Sequence, residues 1–296
     1  MSASISENDQ VIVDRSDAAI RQLPPVPVIR IRPSRFWENI DFAELWHHRE
    51  VLYFLIWRDL KVRYKQTIIG AAWVIVQPIL ITAVFAVFLG KLIKVPSDGI
   101  PYPVFAYAAL LLWTFISNSI LSSSYSLVIN SQIITRVYFP RIMIPAAAIG
   151  VRLVDLMIAS AVLIAMIIYY RVPLGWQALM FPVFIIHLGV LAVAIGILAA
   201  ALNVKYRDVG TMLPILLQAW MFASPIVYAS SLVPARMRNW YALNPLMGIV
   251  EGSRAALFNL PFDWTSVAIS AAVTLGLLLL AVHLFAQMEN GFADNV

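Results

Sequence analysis

No cysteine occurs among the 296 residues. That excludes a disulfide framework, a thiolate metal site and a cysteine nucleophile. Charge is scarce too: 12% of residues are charged, against about 25% in an average soluble domain. The four histidines, His47, His48, His187 and His283, form no HExxH or similar metal-ligand spacing. No phosphate-cradling loop is present: the only Gly-Lys pair, Gly90-Lys91, runs into Leu92 and lacks the earlier glycine that such a loop needs. No basic stripe is interleaved with aromatics, so nucleic acid is not an expected partner. No internal repeat supports an inverted-repeat architecture. Residues 1–35 have no leading apolar segment, so no cleavable signal peptide is expected and the first span serves as its own insertion signal.

Apolar residues are what the chain has in abundance, 61% of the total. Four cations, Arg58, Lys61, Arg63 and Lys65, run straight into the uncharged stretch Gln66–Gly90. A helix of about 20 apolar residues crosses a bilayer, and cations beside the first span are held in the cytoplasm. The chain therefore reads as an all-α integral membrane protein with its N-terminus inside. Six spans are expected, at roughly Ile68–Gly90, Val104–Ile129, Pro145–Tyr170, Trp176–Asn203, Thr211–Ser230 and Trp264–Gln287. An even number returns the C-terminus to the cytoplasm. Residues 1–35, with Pro24, Pro25, Pro27 and Pro33, read as a disordered cytoplasmic tail. Residues 36–66 hold an interface helix and the basic cluster, and 67–296 the six-span domain.

Within 36–66, apolar residues recur at helical spacing over Phe42–Trp57, which predicts an amphipathic helix lying in the cytoplasmic interface. Gln77-Pro78 predicts a kink in the first span. Lys91–Pro103 reads as a short external loop. Between the fifth and sixth spans, Leu232–Asp263 holds apolar runs too short to cross, broken by prolines and glycines. Such runs fit either short re-entrant helices or an ordinary external loop with an amphipathic helix.

Arg152 and Asp155, three apart, share a helix face about one to two turns inside the third span. They read as a structural or gating pair, or as a proton relay. Glu251 and Arg254 repeat the spacing. The second span carries Ser117, Asn118, Ser119, Ser122, Ser123, Ser124, Ser126 and Asn130. These suit close helix packing or, equally, a polar path. Aromatics near span ends, Trp73, Trp113, Phe115, Tyr125, Trp220, Phe222 and Tyr228, suit an interface belt, or in part a lining on which sugar rings could slide.

Several motifs in order carry a resemblance: WRDLKVRYKQTIIGAAW (57–73) with IVQP (75–78), KVPSDGIPYPVFAYAALLLWTF (94–115), ITRVYFPR (134–141), LNVKYRDV (202–209), LPILLQAWMFASPIVY (213–228), LNPL (243–246) and the terminal GFADNV. From about residue 36 onward, the chain resembles the membrane subunit of ABC-2-type polysaccharide exporters, a group that includes O-antigen, capsular polysaccharide and teichoic acid exporters. The resemblance implies a bacterial inner-membrane homodimer with two copies of a separate ABC ATPase. ATP and Mg sit on that partner, this chain binds no cofactor or metal, and it catalyses no bond chemistry. The cargo implied is a polyprenyl-pyrophosphate-linked polysaccharide.

Residue roles follow from the resemblance. Arg58, Lys61 and Arg63 would face the substrate-lipid head group. Trp73, Trp113, Phe115, Ser119, Tyr125, Trp220, Phe222 and Tyr228 would line the channel. Trp46, Arg49, Arg136, Tyr138, Arg141, Lys205, Arg207 and Asp208 would couple to the ATPase. Asn244, Pro245, Glu251 and Arg254 would form a re-entrant outer gate. A proton-coupled transporter is the rival of a different class, with Asp155 as its leading residue. A membrane enzyme would need a second acid beside Asp98, Glu251 or Asp263, and the sequence offers none.

Overall fold

The computed structural model describes residues 46–65, 70–136, 139–234, 237, 240–289 and 292. The expected N-terminal tail, Phe42, Tyr138 and most of GFADNV lie outside them. The described residues form helices joined by turns and irregular segments, with no strand among them. In chain order the helices are α1 (Arg49–Lys65), α2 (Gly70–Phe85), α3 (Tyr102–Ile129), α4 (Ser131–Arg136), α5 (Met143–Tyr169), α6 (Phe181–Lys205), α7 (Asp208–Phe222), α8 (Pro245–Phe258) and α9 (Trp264–Glu289). Five are long and apolar enough to cross a membrane: Ala72–Ile93, Tyr102–Ile129, Met143–Tyr169, Trp176–Lys205 and Trp264–Glu289.

The first of these keeps Pro78 inside α2 and continues as a wider π-helical stretch, Ala86–Ile93. Residues 91–93, expected in a loop, are therefore helical, and the chain leaves the helix at Lys94 with φ 57°. The expected fifth span is shorter than its apolar run. α7 has 15 residues, about 22 Å of helix, against about 30 Å of bilayer core. It ends at Phe222, and turns and bends that include Pro225 follow at 223–228.

α3 is the centre of the bundle. Most of its residues from Tyr102 to Leu127 are buried, and they pack chiefly on α5 and α6. Small side chains allow the close approach to α6: a Cβ on Gly196 would lie 2.9 Å from the Ser123 hydroxyl. At the end opposite the basic cluster, α8 is enclosed on nearly every side. Gly248 lets it sit against the α9 backbone at Ser266, and the Ser270 hydroxyl donates to the Pro245 carbonyl.

The basic end has its own apolar cluster. Leu55 of α1, Ile134 of α4, Phe139, Met143, Val204, Phe285 and Phe292 pack together there. This joins α1, the 134–141 turn and the ends of α6 and α9. α1 does not stop at Trp57 as expected but runs through the cations to Lys65. Lys and Arg are good helix formers, so the polarity change at Arg58 does not end the helix. It also advances along α5: position 150 faces Ile56, where a Cβ would lie 2.6 Å from Cδ1, and Asp155 faces Tyr64.

Candidate functional site

One face of α3 is not covered by α6. Leu111, Thr114, Phe115, Asn118, Leu121, Ser122, Tyr125, Ser126 and Ile129 recur at helical spacing and line two adjoining cavities. α1, α2 and α5 supply the other walls. The larger cavity, about 470 Å³, opens at the basic end and is lined by Arg58, Asp59, Arg63 and Arg152 among others. It falls within the roughly 300–1,000 Å³ of small-ligand sites. The smaller, about 60 Å³, lies further along α3 between Trp73, Gln77, Pro78, Phe115, Asn118 and Asp155. Arg63 and Arg152 border both.

Polar groups from three helices meet at that border. The Asp155 carboxylate accepts from the Tyr64 hydroxyl at 2.5 Å and pairs with Arg63 at 3.0 Å and with Arg152 at 3.2 Å. Arg152 also donates from Nε and Nη2 to the Ser122 hydroxyl, at 2.9 and 2.6 Å. Arg58 sits nearer the rim, held by Asp59 at 2.7 Å and by the Asn130 side-chain oxygen at 2.8 Å. Burial and the hydrogen bond to Asp155 push the Tyr64 hydroxyl up to about 12. Tyr64 therefore stays a donor at any physiological pH.

The Arg152–Asp155 spacing was readable, and the pair forms. It lies deeper than one to two turns, because α5 begins at Met143 and Asp155 is about three turns in. The partners Arg63 and Tyr64 were not readable. Neither was Asn203, whose side chain donates to the Ser124 carbonyl at 3.0 Å and accepts from the Gly210 amide at 2.9 Å. It fixes the turn between α6 and α7. Its one sequence signal is an amide in the otherwise apolar end of α6.

Of the three cations expected at a head group, Arg58 and Arg63 line the groove. Lys61 is exposed and lies 4.5 Å over the Trp57 ring instead. Of the expected lining residues, Trp73, Phe115 and Tyr125 border the cavities. Trp113 does not: it is 8% exposed and packs edge-to-face on Trp220 at 6.0 Å. Ser119 is fully enclosed, so it packs rather than lines. Trp220 Nε1 donates to Asn244, which makes both rings part of the joint between α3, α7 and α8. Phe222, at the end of α7, is exposed. Tyr228 borders a separate cavity of about 440 Å³ with Trp240 and Tyr241, and its hydroxyl pairs with that of Tyr241 at 2.8 Å.

The described residues among those expected to meet an ATPase lie at the basic end, and Tyr138 is outside the described residues. Arg49 donates to the Trp46 carbonyl and covers its ring at 5.6 Å. Arg136, Lys205, Arg207 and Asp208 are exposed. Arg141 is not available in the same way, because its guanidinium donates to the Glu289 carbonyl at 2.7 Å.

At the opposite end, Asn244 caps α8 by accepting from the Leu246 amide, with Pro245 as the first helical residue. Arg254 is buried to 1% exposure. It donates to the carbonyls of Pro225 and Ile226, both at 2.7 Å, pairs with Glu251 at 3.2 Å and lies 3.6 Å from the Phe105 ring centroid. The turn that cuts α7 short is therefore built around this side chain. His187 hydrogen-bonds Thr274 at 3.1 Å, a link between α6 and α9.

The groove and its walls fall within a region of recognisable kinship. The sequence model of the ABC-2 type transporter family matches residues 50–258. The O-antigen export system permease protein RfbA of Myxococcus xanthus is 26% identical over 258 residues, 86% of this chain and 98% of that one. A protein of the same name from Klebsiella pneumoniae is 26% identical over 244 residues, 80% of this chain and 91% of its own. The polysialic acid transport protein KpsM of Escherichia coli is 23% identical over 245 residues, 81% of this chain and 94% of its own. The family match takes in α1 with its cations, the α3 face, the Arg152–Asp155 pair and all of α8, and the chain belongs to the ABC-2 type transporter family.

Proposed function

We propose that this chain is the membrane subunit of an ATP-driven exporter that moves a polyprenyl-pyrophosphate-linked polysaccharide, of O-antigen type, out of the cytoplasm across a bacterial inner membrane. It works as a homodimer with two copies of an ABC ATPase that binds ATP and Mg, and it is itself no enzyme. Its termini are cytoplasmic, and the sixth crossing is made by α7 together with the turn that follows it. The observation that carries this reading is the groove beside α3. It is cationic at the end where the positive loops gather, and it continues between Trp73 and Phe115, where a π-face suits the apolar side of a sugar ring. Cations at the inner interface recruit anionic head groups.

The names of the relatives support a glycan cargo, and the two O-antigen relatives named above, at 26% identity, are slightly more similar than the polysialic acid relative at 23%. A capsular polysaccharide is the second reading, favoured by that last likeness. For coupling, α1 and the 134–141 turn share one apolar cluster with Phe285, so a push on either reaches the bundle. For an outer gate, Asn244, Pro245, Glu251 and Arg254 sit together on α8, beside the turn that Arg254 holds. A proton-coupled mechanism is disfavoured because Asp155 is engaged by two arginines and a tyrosine, whereas a relay wants an acid free to exchange its proton.

The test is co-purification from detergent with a candidate ABC ATPase of the same organism. A complex of two permeases and two ATPases that hydrolyses ATP is the expected result. A permease that stays alone, moves substrate down a proton gradient and loses that activity on Asp155→Asn would overturn the proposal.

A further inference from the structure

The loop between α6 and α7 is tied to the groove wall by a single amide side chain. α7 starts at Asp208, and the first amides of a helix have no partner within it. Arg207, at the N-cap, supplies no side-chain cap. The Gly210 amide donates instead to the Asn203 side-chain oxygen at 2.9 Å, and the Asn203 side-chain nitrogen donates to the Ser124 carbonyl of α3 at 3.0 Å. Asn203 is 3% exposed. Next to Ser124, the Tyr125 ring lines the larger cavity. That ring leans on Gly210, where a Cβ would lie 2.7 Å from its hydroxyl oxygen and 2.8 Å from two ring carbons. Between the two pinned residues, Lys205, Tyr206, Arg207 and Asp208 are exposed.

We propose that Asn203 is a positioning residue that binds the 205–208 loop and the Tyr125 ring into one unit, so that a displacement of the loop is felt at the groove wall. The turn has little slack, because Asn203 and Gly210, seven residues apart, are pinned to each other and to α3. Breaking either bond leaves a buried polar group unsatisfied, which costs more than the bond itself contributes. A push on the exposed loop is therefore not absorbed in the turn. It passes to Gly210 and to the Ser124 carbonyl, the two supports of Tyr125. This adds a second route to the one through α1 and the 134–141 turn. The inference rests on the export reading for its last step, in which an ATPase pushes the loop and a glycan passes the ring.

The chain contains no cysteine, so one introduced thiol reports alone. A long side chain on a helix covers the turn N-terminal to its own Cα, which puts the Tyr125 ring over position 121. Leu121 lines the same cavity. The experiment measures the maleimide labelling rate of Leu121→Cys in the purified full chain. It then measures surface polysaccharide in cells and ATP hydrolysis by the complex purified from them, each per copy of permease. Asn203→Ala should raise labelling about fivefold and lower export per ATP hydrolysed by a similar factor, the low end of coupling between distinct sites. A merely structural loss lowers hydrolysis and export together and leaves their ratio unchanged. Gly210→Ala removes no hydrogen bond and displaces the ring directly. It should act in the same direction, and it keeps the test decisive if Asn203→Ala fails to fold.

Unchanged labelling in the folded variants would overturn the proposal. So would faster labelling with export per ATP at the parental value. A parent chain that assembles with no ATPase removes the export reading instead, and the labelling then decides by itself whether loop and ring form one unit.

Discussion

The Tyr64 hydroxyl donates to the Asp155 carboxylate at 2.5 Å across 91 residues of sequence. It is a bond from the helix that carries the basic cluster to the middle of a span. Tyr64→Phe keeps the ring and removes the donor, leaving Asp155 to the two arginines. A hydrogen bond to a charged group contributes about 1.5–3 kcal/mol. Hydrogen exchange at the α1 amides should therefore accelerate in the variant while exchange in α3 stays as it was. Unchanged α1 protection would mean that the ion pairs alone hold the helix.

Arg254 makes the opposite end rigid. Replacing it with Lys keeps the charge but loses the planar fork that reaches two carbonyls at once. Breaking a buried charge pair costs about 3–5 kcal/mol. The thermal midpoint in detergent should fall sharply for Arg254→Lys and for Arg254→Met alike. A Lys variant with parental stability would reduce the site to simple charge pairing with Glu251.

Gly150 permits α1 to lie against α5. A methyl there would sit 2.6 Å from Ile56 Cδ1. Overpacking of this kind destabilises by about 1–3 kcal/mol. Gly150→Ala alone should lower thermal stability, and adding Ile56→Ala should recover part of the loss. Additive losses in the double variant would show that the two sites do not touch.

The aromatic residues divide into two groups with different expected phenotypes. Trp113→Ala removes a buried ring packed on Trp220 and should cost about 3–5 kcal/mol of stability. Tyr125 is 40% exposed on the groove. Its replacement by Ala should cost about 1 kcal/mol or less. Export, read as polysaccharide at the cell surface, should fall with Tyr125→Ala at normal protein levels, and with Trp113→Ala only as far as the protein is lost. Normal export in a stable Tyr125→Ala variant would remove the groove from the path.

Apolar run length alone located α3, α5, α6 and α9 to within a few residues. It misjudged α7 because Ala223, Ser224, Pro225, Ile226 and Val227 continue the apolar composition. The local stop signal is Pro225, two residues past the C-cap Ala223. Arg254, 29 residues further on, holds the turn by binding the Pro225 carbonyl, and that contact is not legible locally. The α1 boundary differs for another reason: polarity changes at Arg58, but Lys and Arg sustain a helix, so the backbone does not change there.

The second-span polar residues held more information than a count of them. Taken by helical period, Asn118, Ser122 and Ser126 fall on one face, and Ser119 and Ser123 on another. The structure gives the first set to the groove and the second to packing. The packing and path readings are each right for one face. Within the cluster at Asp155, only the i,i+3 pair was legible. The remainder needs α1 and α5 side by side, a close approach that the glycine at position 150 permits.

The walls of the groove are anchored unequally, and this has a mechanical consequence. α3 is packed by neighbours along nearly its whole length, so it behaves as the fixed member of the assembly. The first span shows only 11% of its apolar window buried within the chain. α1 is attached through Leu55, Gly150 and the Asp155 bonds. Widening the groove thus leaves the packing of α3 in place: α1 and α2 are the leaves of a door on a rigid post, Leu55 and Ile56 are the apolar contacts that α1 would give up, and the Tyr64–Asp155 bond is the catch.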